Sequence, residues 1–115
     1  VVLLDGMILG KPADKDEAAD MLRILGGKRH RVITGVCMTT TRIQQRFSDT
    51  AYVTFSPLSD EEISYYVSRY HPLDKAGAYG VQEWIGYVAV EKIEGSYFNV
   101  MGLPIHKVYQ ALKQF

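Results

Sequence analysis

At 115 residues the chain is long enough for one domain with a moderate core. Thirteen Lys and Arg balance thirteen Asp and Glu. There is then no net field of the kind that broad nucleic-acid or anionic-membrane binding uses, although a small phosphate site built from a few lysines stays open. A single cysteine, Cys37, excludes an internal disulfide, and no apolar run reaches transmembrane length. The expectation is a soluble cytoplasmic protein that binds neither nucleic acid nor membrane.

The chain opens on an apolar run, Val1 to Leu4, which reads as an edge strand without a lead-in, as if natural residues preceded it. Met7 to Leu9 follows across Asp5-Gly6, a dipeptide suited to a two-residue hairpin turn because it tolerates positive φ. Gly10-Lys11-Pro12 ends the hairpin and leaves Lys11 at a strand mouth. Asp14 and Glu17 have capping-box spacing, and Ala18, Met21, Leu22 and Leu25 recur at helical spacing before Gly26-Gly27, which predicts a helix from about 15 to 25. His30 to Thr41 is rich in β-branched residues and reads as a strand, with Phe47 to Phe55 as an antiparallel neighbour. Cys37, within the first of these, is expected to be a buried, inert thiol.

Ser59 and Glu62 form a second capping box ahead of Ile63, Tyr66 and Val67, and His71-Pro72 ends that helix. Trp84 to Ile93 reads as a strand and "EGSYFNVMGLP" as a loop with short extended pieces. Pro104 suits a first helical turn, so a last helix over about 104 to 114 is expected, carrying Ile105, Val108, Tyr109 and Leu112. There is no internal repeat, no linker, no Gly-x-Gly-x-x-Gly and no complete P-loop motif. The pattern is that of one α/β domain, or most of one.

Candidate chemistry centres on lysines beside glycines. Glycine lets backbone N–H groups approach phosphate oxygens, and lysine adds a mobile positive charge. Lys11 in "LGKP" and Lys75 in "DKAG" both fit, although each alone is a weak signal, a lysine beside a glycine being more often simply solvated. Asp74 either caps its loop or serves a catalytic or metal role. Gln82 either reads the edge of a base, since its amide both donates and accepts, or is a plain exposed loop residue. Tyr79, Trp84 and Tyr87 suit base stacking and core packing alike. Asn99 is expected to satisfy a turn in preference to a substrate. His30, His71 and His106 show no metal-ligand spacing.

The segment "LDKAGAYGVQ" resembles the signature of the Maf family, the septum-formation-like nucleoside triphosphate pyrophosphatases. "LGKP" at 9 to 12, "HRVITGV" at 30 to 36, "FSPLSDEEISYYV" at 55 to 67 and "KIEGSYFNVMGLP" at 92 to 104 agree in order, so the resemblance covers the whole chain. It implies an α/β fold similar to that of the inosine-triphosphate pyrophosphatases, with a mixed sheet, flanking helices and a substrate cleft. It further implies hydrolysis of a nucleoside triphosphate to the monophosphate and pyrophosphate, with magnesium or manganese. Homodimers are common in the family, which makes one an expectation here.

"DKAGAYG" followed closely by Gln82 is similar to the dTTP/UTP subgroup, which implies dTTP, UTP or modified pyrimidine nucleotides as substrate and Gln82 as the specificity residue. Glu83-Trp84 departs from the glycine that many relatives carry after that glutamine. Lys11 matches the family's active-site lysine, and Asp74 and Lys75 fall in the signature as further site residues. The family's SxSPRR segment, an upstream acid and lysine, and an Asp-Thr pair assigned as the water-activating base have no match in the chain. Aligning "LGKP" puts that pair immediately ahead of Val1, so the chain is expected to be the C-terminal majority of a single Maf-like domain. Two rival readings are a non-catalytic nucleotide-binding domain and a septation-related partner protein.

Overall fold

The structure, a computed structural model, describes residues 1–114. Five antiparallel strands form one sheet: β1 (Val2–Leu4), β2 (Met7–Leu9), β3 (Arg29–Thr39), β4 (Gln44–Phe55) and β5 (Val90–Glu94), in the order β2-β1-β3-β4-β5. The first hairpin forms as the turn chemistry predicts. Leu4 pairs with Met7, and both turn residues are left-handed, Asp5 at φ 49° and Gly6 at φ 78°. The opening strand is not an edge, however. β1 lies between β2 and β3, and Val2 and Leu4 are buried on the core face.

Two long helices cover that face, α1 (Lys15–Leu25) and α2 (Asp60–Tyr70). Asp14 caps α1 by accepting the Glu17 N–H, and Ser59 and Glu62 complete a reciprocal capping box on α2. Leu22, Leu25 and Ile63 from the helices meet Val53 and Phe55 from β4, all at 1% exposure or less. Each such side chain contributes about 1.5–3 kcal/mol of burial. Between α2 and β5 the chain makes two short 3-10 turns, Pro72–Asp74 and Ala76–Ala78, and these carry the signature segment.

Two expectations fail just beyond that segment. Trp84–Ala89 is a helix, α3, and only Val90–Glu94 is strand. Ile85 and Ala89, four apart, are buried while Tyr87 is 85% exposed, a helical rather than an alternating pattern. The bend is so tight that a Cβ on Gly86 would lie 1.8 Å from the Val81 carbonyl oxygen. Tyr97–Met101 is also helical, α4, where a loop was expected. Ser96 caps it by accepting the Asn99 N–H and Gly102 stops it at φ 134°.

The last helix, α5 (Ile105–Gln114), forms as expected but buries none of its residues. Ile105, Tyr109 and Leu112 face solvent. Lys107 ties the helix to β4 by donating to the Ser48 carbonyl and pairing with Asp49. Cys37 is exposed on the outer half of β3, not buried, because the sheet there is only two strands wide.

Candidate functional site

A cleft of about 380 Å³ opens where the end of β1, the middle of β3, the signature segment and α4 meet. Val1, Thr34, Asp74, Lys75, Tyr79 and Asn99 are among its lining residues. The backbone assembles it through long-range bonds. The Gly77 N–H donates to the Gly10 carbonyl at 3.0 Å, which hangs the signature loop on the end of β2 next to Lys11.

Lys75 is the cation of the cleft wall. Its Nζ lies 3.2 Å from Asp74 Oδ1 and 3.5 Å from Glu83 Oε1. Asp74 is well exposed. The Lys75 ammonium, as hydrogen-bond donor and as charge, holds its carboxyl below the usual range, and Lys11 adds to the effect. A carboxylate held down in this way is a weak general base and a good partner for a cation. Glu83 is more enclosed. It accepts from the Tyr66 hydroxyl at 3.0 Å, and that hydroxyl accepts the Gly80 N–H at 3.2 Å. Burial pushes the Tyr66 phenol up, so it remains a donor.

Of the residues singled out from sequence, Lys75 and Asp74 line the cleft together and Lys11 adjoins them. Gln82 sits on an exposed turn outside the lining. The aromatic residues divide by environment. Tyr79 is buried and lines the cleft floor, with its hydroxyl 2.6 Å from His30 Nε2. Trp84 stacks with Tyr66 and Tyr70 and meets Tyr65 edge-on. Tyr87 projects into solvent.

Asn99 does not serve a turn with its side chain. It is fully buried, and its Nδ2 donates to the carbonyls of Val32 and Asp49, cross-linking β3 and β4 beside the cleft. His30 is a core histidine whose pKa burial lowers to about 4. Sequence reasoning missed the Tyr66–Glu83 link. The capping box identified the helix that carries Tyr66, but nothing local to either residue announces a bond across 17 positions.

Among the described residues no three His, Cys, Asp or Glu side chains converge to hold a metal ion. The cleft offers Asp74, already engaged by Lys75, as its one lining carboxylate. That donor set is too small for a protein-only cage around magnesium or manganese.

The family model described as Maf-like protein matches residues 1–115. The chain is 58% identical over 115 residues to a dTTP/UTP pyrophosphatase of Porphyromonas gingivalis, covering 100% of this chain and 58% of the relative. It is 58% identical over 114 residues to a dTTP/UTP pyrophosphatase of Bacteroides thetaiotaomicron, covering 99% of this chain and 59% of the relative. A third dTTP/UTP pyrophosphatase, from Christiangramia forsetii, is 50% identical over 114 residues, with 99% and 58% covered. The chain thus spans a little under three-fifths of the length of these curated relatives.

Proposed function

Because the chain belongs to the Maf family, we propose that the complete gene product hydrolyses dTTP and UTP to the nucleoside monophosphate and pyrophosphate. The observation that carries this reading is the 58% identity, over all 115 residues, to a relative of that name. The cleft is consistent with it in chemistry. Lys75 lines it and Lys11 lies beside it, two cations suited to a polyanionic chain.

In the reaction, water forms a new bond to the α-phosphorus while the bridge to the β-phosphate breaks, so pyrophosphate leaves and a proton is released. Lys75 and Lys11 orient the triphosphate and offset the charge that grows on the leaving group. Water activation falls to the Asp-Thr pair that the resemblance puts ahead of Val1. Val1, the residue that would follow that pair, is among those lining the cleft. Magnesium or manganese would enter with the triphosphate and offset its charge, and Asp74 is the cleft carboxylate that would help to hold it. Gln82 sets nucleotide preference from the turn next to α3, and the enzyme works in the cytoplasm.

The test is product analysis with dTTP, UTP, CTP and GTP on the complete gene product. Monophosphate and pyrophosphate should form, fastest from dTTP and UTP. Lys11→Ala should lower kcat by about a hundredfold. Gln82→Ala should compress the preference for pyrimidines with a smaller change in rate. Nucleotide binding without turnover, or release of orthophosphate in place of pyrophosphate, overturns the reading.

A further inference from the structure

We propose that Glu83 is a positioning residue that aims Lys75 at the triphosphate and is itself held by the Tyr66 hydroxyl. The inference rests on the reading that Lys75 faces phosphate. Glu83 occupies the N-cap position of α3, yet its carboxylate makes no capping bond. Its Oε1 instead accepts from Tyr66 and lies within ion-pair distance of Lys75. Tyr66 is fully buried in α2, so the far end of this strut is fixed by the core.

The two acids around Lys75 differ in kind. The Asp74 side chain pairs with Lys75 but is 77% exposed and has no second side-chain partner holding it among the described residues, while that of Glu83 is 22% exposed and anchored by Tyr66. Gly80 gives the strut its room. A Cβ there would sit 2.7 Å from Glu83 Oε1 and 2.8 Å from Lys75 Cε. A lysine has four rotatable bonds to order on binding phosphate. A fixed carboxylate beside its ammonium orders them beforehand, so less freedom is lost when substrate arrives. Glu83 needs no contact with the nucleotide for this.

The experiment is a double-mutant cycle in the complete gene product, with kcat and KM measured on dTTP. Glu83→Gln keeps the shape and the Tyr66 bond but removes the charge, and should reduce kcat/KM by about tenfold. In a Lys75→Met background the same substitution should cost nothing further. Tyr66→Phe should show a smaller loss with the same dependence on Lys75, which provides a second variant if Glu83→Gln folds poorly. Reductive ¹³C-methylation gives a readout independent of turnover. The Lys75 resonance, assigned with Lys75→Arg, should narrow and move toward the free dimethyl-lysine position in Glu83→Gln. A Glu83→Gln loss that persists undiminished in Lys75→Met overturns the inference, as does an unmoved Lys75 resonance. Unchanged kcat/KM in Lys75→Met overturns the phosphate reading of Lys75, and this inference with it.

Discussion

At the base of the sheet, Val2, Val32 and Val53 lie on strands flanked on both sides and roofed by α1 and α2, and all three are buried. Beyond Thr34, and before Thr50, only β3 and β4 remain paired, and no residue of that ribbon is buried. Both regions obey the same antiparallel register, although the paired strands of the ribbon hold only Val36 and Thr39 as β-branched residues. What separates them is the number of strands and the packed layer of α1 and α2, since α5 meets the ribbon through Lys107 and buries none of its residues. Strand propensity makes the ladder, but sheet width and a covering layer make a core.

That contrast predicts a graded response to substitution. The largest effect belongs to Gly86, in the bend that seats Ile85 in the core. Gly86→Ala would force a methyl group into the Val81 carbonyl and should destabilise by about 4 kcal/mol or more, read as a collapse of the urea midpoint. Leu22→Ala removes a fully buried side chain between α1 and the sheet and should cost about 2–5 kcal/mol, measured in the same titration. Loss of less than about 1 kcal/mol there would mean that the core at the base is looser than its burial implies.

Acid should act next, and again at the base. The pKa of His30 lies at about 4 in the fold against an ordinary 6.5. The unfolded chain therefore takes up the proton first as pH falls, so stability present above pH 6.5 is lost on the way down to about pH 4. That gap corresponds to about 3 kcal/mol. Urea midpoints across the window test it, and His30→Gln should flatten the dependence. The smallest effect belongs to the ribbon. Cys37→Ser, on an exposed stretch two strands wide, should change stability by less than about 0.5 kcal/mol in the same assay. A larger loss would break the comparison by showing that the ribbon is covered in solution.

Much of the scaffold was legible because its signals are local. The Asp5-Gly6 turn, the Asp14 cap and the Ser59–Glu62 box each act within four residues, and all three form where they are predicted. The hairpin of β3 and β4 followed from composition. The misreadings have different causes. "WIGYVA" has strand-forming residues, but its burial partners lie four apart once the chain folds back on Val81, and tertiary packing outweighs propensity. "SYFNVM" has aromatic, strand-favouring residues, but its serine cap and glycine stop are local helix signals that outweigh them.

The site divides along the same line. Lys11, Asp74 and Lys75 could be singled out as candidates from a glycine-rich context and from resemblance, and the fold brings Asp74 and Lys75 into one cleft. Sequence also determined the family, the hairpin and the capped helices, because each depends on neighbours or on motifs in order. Only the tertiary structure decided that Cys37 is exposed, that Asn99 bridges two strands, that the stripe of α5 faces water and that Glu83 meets Lys75 beneath Tyr66. Those outcomes depend on which distant surfaces meet and how many strands lie alongside. They are set by the summed burial of the whole chain, and no stretch of a few residues contains that information.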